Sequence, residues 1–285
     1  MLERVPMALA TLLWLCAMFL PLEWALPAWR GQKRLRSGWL ADLAFFFGQH
    51  LIFGAAVVTA IHWAFPTLEA LDSVHAWFRE LPLVLRAVVV IALGDLVAYW
   101  AHRAQHRFEW LWRFHAVHHT ATHLDFLAAH REHPLDGLYT QTMVNLPALL
   151  LGLSLHQLLG LVAFRSLWAI FIHSNVRMPL GPFRMLLGSP DLHHWHHAKH
   201  RHAGNYANLA PYLVRLFGTY QRPANEPEVL GIEEPHPESY FGLLLYPFVR
   251  RRDKAIMMES DHALALDPDL RDSGVLATSD RNAAC

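Results

Sequence analysis

Apolar residues in this chain are gathered into long runs, and polar residues fall mainly between them. The first run is Val5–Leu26, followed by a basic segment with Arg30, Lys33, Arg34 and Arg36. The second is Trp39–Phe65 and the third Pro82–Trp100, with a polar connection, Pro66–Leu81, between them. As helices, runs of this kind are long enough to cross ~30 Å of hydrocarbon at ~1.5 Å per residue. A fourth apolar region, Leu138–Ile172, is too long for one crossing and short for two, and its break near Gly152–Ser154 predicts a helical hairpin that dips in and returns. Tyr240–Val249 is too short to span; it is expected to pack on the body or lie at the interface, where Arg250–Arg252 would suit lipid headgroups. After about Asp261 the chain reads as a polar, frayed tail.

The pattern predicts an all-α integral membrane protein with about four transmembrane helices or helical hairpins and a cytoplasmic helical cap. It divides into N-terminal membrane helices (1–95), a central histidine-rich catalytic region (96–220) that includes the hairpin 138–172, and a C-terminal cytoplasmic segment and tail (221–285). The first run is interrupted by Pro21 and Glu23 and has no clear small-residue cleavage site, so it reads as a helix that stays attached rather than a signal peptide. The basic segment after it is assigned to the cytoplasm by the positive-inside rule. The third run then delivers His102 onward to that same face.

Composition agrees with this class. The chain is 54% hydrophobic and 17% charged, against about 25% charged in ordinary soluble domains. A net charge of zero gives no nucleic-acid surface. The two cysteines, Cys16 and Cys285, make neither a disulfide framework nor a cysteine metal site, and point weakly to a reducing compartment.

What changes the picture is histidine. The chain has 21, and those between His102 and His202 include three tight groups: H-R-A-Q-H (His102, His106), H-A-V-H-H (His115, His118, His119) and H-H-W-H-H (His193, His194, His196, His197). Spacings of three and four put imidazoles on one helical face, while the adjacent His118 and His119 diverge by about 100° and can serve two metals. His193, His196 and His197 repeat the H-x-x-H-H spacing; His194 falls outside it. His173, beyond the hairpin, is a candidate lone ligand. His133 is read as a ligand or a hydrogen-bonding neighbour, and His123, His130, His200 and His202 as outer or channel residues. His156 near the hairpin turn is given a structural role. His50 and His62 lie within the second run, where an ionisable residue is a functional candidate by default, yet nothing in sequence ties them to the groups. His75, His236 and His262 stand apart.

Eight or nine imidazoles are more than one zinc uses. They point to two ions with room for an exogenous ligand, and a redox-active pair of irons fits best, although spacing alone leaves two zincs open. H-E-x-x-H and the Glu-x-x-His of soluble di-iron bundles are both absent. Asp95, two turns before His102, is expected to accept the second N–H of a ligating imidazole; Asp125, Asp136 and Asp191 could serve likewise. Tyr99, Arg131, Asn205 and Tyr206 complete the supporting set. Leu96, Trp100, Leu146 and Phe171 could line a lipid path, though each reads equally as packing. A membrane metal transporter or metal-binding protein, and a zinc-dependent membrane hydrolase, are the rival readings.

At these residues the chain resembles the fatty acid hydroxylase/sterol desaturase superfamily. The resemblance rests on D-L-V-A-Y-W-A-H-R-A-Q-H (Asp95–His106), W-R-F-H-A-V-H-H (Trp112–His119), R-E-H-P (Arg131–Pro134), H-S-N-V (His173–Val176), P-D-L-H-H-W-H-H (Pro190–His197) and the following Asn205-Tyr206. It implies a non-haem di-iron centre held by His102, His106, His115, His118, His119, His193, His196 and His197, with His173 as the isolated histidine. It also implies O₂-dependent hydroxylation or desaturation of a membrane lipid, with electrons from a separate redox protein, since no cytochrome-like H-P-G-G segment is present. Where many relatives carry a stretch resembling S-S-E after the second group, this chain has Thr120-Ala121-Thr122-His123, a departure that bears on substrate class.

Overall fold

The computed structural model describes residues 4–249, apart from most of 55–70 and residues 154, 179 and 222–224. The expectations for His62, Arg250–Arg252, His262 and the tail lie outside the described residues, as does the side chain of His156. Among the described residues regular structure is helical, with two isolated β-bridges. The helices are α1 (Arg4–Ala25), α2 (Trp39–Gly48), α3 (Asp72–Glu80), α4 (Leu83–Arg107), α5 (Glu109–His119), α6 (Pro134–Leu150), α7 (Leu155–His173), α8 (Pro190–His196), α9 (Tyr212–Leu216) and α10 (Tyr240–Leu245).

Two of them, α1 and α4, are long and apolar enough to cross a membrane. Both leave large apolar side chains in the open: Met7, Leu13, Leu83, Val84 and Val88 are all more than half exposed. Such a face is costly in water at ~25 cal/mol per Å² and loses nothing in hydrocarbon, which is as apolar as leucine. The shorter apolar helices are Trp39–Phe53, where α2 runs on into a π-helical turn at Gln49–Phe53, and Leu159–His173. The fourth apolar region forms two helices, α6 and α7, that break at Leu151–Gly152. Gly152 takes φ 70°, a left-handed conformation open to glycine, and its N–H caps the Leu149 carbonyl at 3.0 Å. Pro134 opens α6, with the His133 ring accepting the Leu135 N–H at 3.2 Å as an N-cap. α6 then lies along α4.

Polar groups sew these helices together at one end. Arg36 is buried and pairs with Asp42 at 2.7 Å and Asp125 at 2.6 Å, while Arg131 binds the other oxygen of Asp42. Glu23, near the end of α1, accepts the backbone N–H groups of Phe126 (2.8 Å) and Asn175 (3.0 Å). Arg36 is therefore a structural cation, so any topogenic charge in the basic segment rests on the exposed Arg30, Lys33 and Arg34. The short apolar stretch near the C-terminus packs on the body: Leu243 and Tyr246 share a core with Phe45, Trp112 and Val117.

Candidate metal centre

Four chain segments bring nine imidazoles together at this polar end. His102 and His106 lie on the last turns of α4, and His115, His118 and His119 on the second half of α5. His173 ends α7; α8 supplies His193 and His196, and His197 follows it. Their ring nitrogens collect into two groups, His102, His106, His115, His119 and His196 in one, and His118, His173, His193 and His197 in the other, each with its ligand atoms within 4.8 Å of one another. Both H-x-x-H-H motifs are split. α5 sends His115 and His119 to the first group and His118 to the second; α8 sends His196 to the first, and His193 with its neighbour His197 goes to the second.

The outward nitrogens fix the tautomers. His102 Nδ1 donates to the Tyr206 carbonyl (2.8 Å), His196 Nδ1 to Gly204 (2.7 Å), His118 Nδ1 to Arg131 (3.0 Å), His173 Nδ1 to Ala169 (2.6 Å) and His106 Nδ1 to Arg201. His115 Nδ1 donates to the Asp136 carboxylate at 2.9 Å. With the proton on Nδ1, each Nε2 turns a lone pair inward. Two pairs of these lone pairs then face one another, His102 to His115 at 3.1 Å and His118 to His173 at 2.9 Å, while His119 Nε2 comes within 3.2 Å of His115 Nε2 and His193 Nε2 within 2.8 Å of His173 Nε2. His106 Nε2 and His196 Nε2 are buried with no partner. Lone pair against lone pair in a dry interior is repulsive unless a cation sits between them. Two nitrogens at right angles on an ion with ~2.1 Å bonds are ~3.0 Å apart, so the observed spacings fit one ion per group. Burial and neighbouring imidazoles hold the His119, His193 and His197 rings below their ordinary value, His118 at about 4 and His196 at about 3. They are thus kept in the neutral form that binds metal.

The turn that carries Asn205 shows how this orientation is built. Asn205 adopts φ 52° after Gly204 at φ 78°, and its side chain braces the turn through Leu192 O (3.1 Å) and Gln221 N (2.9 Å). Asparagine tolerates this left-handed region better than most residues. The carbonyls on either side of Asn205, those of Gly204 and Tyr206, are the two that orient His196 and His102.

The other singled-out residues fall in varied places. Asp95 pairs with Arg165 at 2.8 Å instead of with an imidazole; the carboxylate that holds a ligating ring is Asp136, which also accepts from Gln105 at 2.7 Å. Tyr99 bonds Thr219 behind His102, and the Tyr206 ring packs on His102, His106 and His196. Arg131 contributes its carbonyl to His118 and its guanidinium to Asp42. His133 caps α6 and faces the Leu244 carbonyl. Asp191 is half-buried, 3.6 Å from Arg184. His194 is buried on the far side, between Glu226 and the Ser174 carbonyl and against Trp29. His123 is half-buried beside Thr122, and His200 is exposed.

A cavity of about 490 Å³ reaches both groups, touching His102 and His115 of one and His118, His173 and His193 of the other, and extends to Thr11, Trp14 and Leu15 of α1. Leu96, Trp100, Leu146 and Phe171 do not line it. Its wall also carries Gln49, His50, His130 and Glu132. Burial and the nearby Asp136 push the Glu132 carboxyl up to about 8, and burial holds the His130 ring at about 3. Sequence spacing gave no signal for this wall beyond the stray histidines.

Comparison with known proteins covers the same stretch. A family model described as fatty acid hydroxylase matches residues 87–219. The chain is 29% identical over 241 residues to the ornithine lipid hydroxylase OlsE of Rhizobium tropici, covering 81% of this chain and 72% of that protein. It is 31% identical over 144 residues to the human alkylglycerol monooxygenase, covering 50% of this chain and 32% of that one. It is 32% identical over 141 residues to a very-long-chain aldehyde decarbonylase of Oryza sativa subsp. indica, covering 48% of this chain and 53% of that protein. Apart from OlsE, these relatives are thus matched over about a third to a half of their own length. No solved structure matches the chain.

Proposed function

We propose that this chain, whose residues 87–219 match the fatty acid hydroxylase family model, is a multi-pass membrane oxidoreductase of that family that hydroxylates or desaturates a membrane lipid with O₂. The observation that carries the reading is the pair of imidazole groups, each with inward lone pairs, at the floor of one cavity. His102, His106, His115, His119 and His196 would hold one iron, and His118, His173, His193 and His197 the other. Bound there, two irons would supply the activation of O₂ that oxidation of an unactivated C–H bond requires.

The chain's own residues do the rest. The Tyr206, Gly204, Arg201, Arg131 and Ala169 carbonyls and the Asp136 carboxylate hold six rings in the tautomer that leaves Nε2 free to bind a metal. Burial of the rings excludes bulk water from the centre. The cavity's contact with α1 provides a way in from the bilayer, while the polar end stays accessible to a separate electron-donor protein from the cytoplasm. A transporter would line a pathway through the spans with its ligands; here nine rings close on two points at the helix ends. A zinc hydrolase has no support from the relatives, whose names describe two oxygenases and a decarbonylase.

The test is comparative lipid mass spectrometry of cells with and without the gene, with His118→Ala as control, alongside metal analysis of the purified chain. A lipid that gains one oxygen atom or loses two hydrogens only with the intact chain, together with two irons per chain, is expected. Ornithine lipids, alkylglycerols and sterols head the panel. Two zincs and no iron-dependent oxygen uptake on any of them would sink the proposal.

A further inference from the structure

One wall of the cavity holds polar groups that the metal centre does not use, and His50, His130 and Glu132 each turn an acceptor atom to it that no protein donor meets among the described residues. Gln49 and His130 bond each other twice: the Gln49 amide donates to the His130 carbonyl at 3.1 Å, and His130 Nδ1 donates to Gln49 Oε1 at 3.2 Å. That second bond leaves the lone pair of His130 on Nε2, which is buried without a partner, on a residue only 7% exposed. His50, whose ring centre is 5.9 Å from that of His130, donates Nδ1 to the Phe46 carbonyl at 2.9 Å, so its lone pair also lies on Nε2. Glu132 follows His130 by two residues, at most ~7 Å along the backbone. Its carboxyl lines the same cavity and has no hydrogen bond or ion pair among the described residues.

Among the described residues no protein cation answers these acceptors. Arg131, the nearest in sequence, turns away: its guanidinium binds Asp42, Thr120 and the Gly38 carbonyl. Arg165, elsewhere on the cavity wall, is held by Asp95 and the Ile91 carbonyl. Among the described residues the charged neighbour that acts on Glu132 is another acid, Asp136. A bare metal ion is a poor match. Its ligand atoms stay within ~4.2 Å of one another at ~2.1 Å bonds, and these three residues do not gather as the two imidazole groups do. A primary ammonium has three N–H donors and a positive charge, and at ~2.9 Å per hydrogen bond it bridges acceptors up to ~5.8 Å apart.

We propose that His50, His130 and Glu132 form a binding site for the protonated amine of an amino lipid, and that this site selects the substrate's polar end. The wall lies close to the metal groups. The residue before Glu132 orients His118 through its carbonyl, and Asp136, its acidic neighbour, orients His115. The proposal rests on the lipid-oxidising reading for the meaning of the site, and its test does not depend on turnover.

Binding is measured on the full-length chain in neutral phosphatidylcholine nanodiscs, zinc-loaded so that no oxidation occurs. The probes are dodecylamine, N-acetyldodecylamine and dodecanol, each corrected for partition into empty nanodiscs. A charge-assisted contact predicts that the amine binds about tenfold or more tighter than either neutral probe. Glu132→Gln is expected to abolish that preference, to leave dodecanol binding unchanged and to keep two metals per chain. Equal binding of the three probes by the unaltered chain, or a preference for dodecanol, overturns the site without recourse to any variant; so does a folded Glu132→Gln protein that keeps the amine preference. A failed lipid-oxidation assay with intact amine selectivity would count against the proposed chemistry and leave the binding site standing.

Discussion

At the scale of single residues, orientation matters more than ligand count. Among the described residues Asp136 is the carboxylate that holds a ring of the two groups, His115, and it is itself steadied by Gln105. Removal of such a partner typically costs 10–100-fold in metal affinity. Asp136→Asn is therefore expected to lower affinity by roughly that factor with the fold kept, as read by competition with a chelator. Protonation acts on the same rings. An unfolded histidine takes up its proton near 6.5, whereas folded His118 does so at about 4 and His196 at about 3. Between those values the unfolded chain binds more protons, so stability rises with pH through the window. The metal-free protein should show its full stability above about 6.5 and lose it progressively as pH falls toward 4; urea midpoints at pH 7.5 and pH 5 would check this, and an unchanged midpoint would contradict it. Spacing made the ligands legible in the sequence, because helical periodicity puts residues three and four apart on one face. Their orienting partners were not, because most are backbone carbonyls, which every residue has. Asp95 was the natural carboxylate by spacing along α4, but Arg165 from α7 takes it, a contact no local pattern reveals.

At the scale of elements, the shortest helix among the ligand carriers is the most exposed to error. α8 has seven residues, too few to hold itself, and its approach depends on Gly188. That residue donates to the Leu209 carbonyl at 3.0 Å, and a Cβ there would lie 1.5 Å from the Asn208 carbonyl oxygen. Gly188→Ala must displace the backbone that leads into α8. It is expected to reduce metal content in both groups while leaving the α4–α6 packing intact, a combination that metal analysis with circular dichroism would detect. The sequence announced the hairpin break, because Gly152 interrupts an apolar run. It did not announce Gly188, whose neighbour Asn208 is remote along the chain.

At the scale of the whole molecule, the apolar runs announced a helical chain with two helices long and apolar enough to cross a membrane, and the histidine pattern announced the rings that gather into two groups. The basic segment was harder to interpret, since a buried arginine such as Arg36 looks the same in sequence as a surface one. With Arg30, Lys33 and Arg34 left to set the topology, the proposed orientation puts the exposed His200, beside the centre, in the cytoplasm. A single cysteine at that position, with Cys16 and Cys285 replaced, should resist a membrane-impermeant maleimide in intact cells and react after permeabilisation. Labelling of intact cells would reverse the assigned face.

The divided H-x-x-H-H motifs have one more consequence. Because α5 serves both groups, and so does the segment His193–His197, the first ion to arrive fixes backbone that the second also needs. The ordering entropy is then largely spent once. Loading should be cooperative: a preparation given one equivalent of metal should contain chiefly empty and doubly filled molecules, resolvable by native mass spectrometry, with few that carry a single ion.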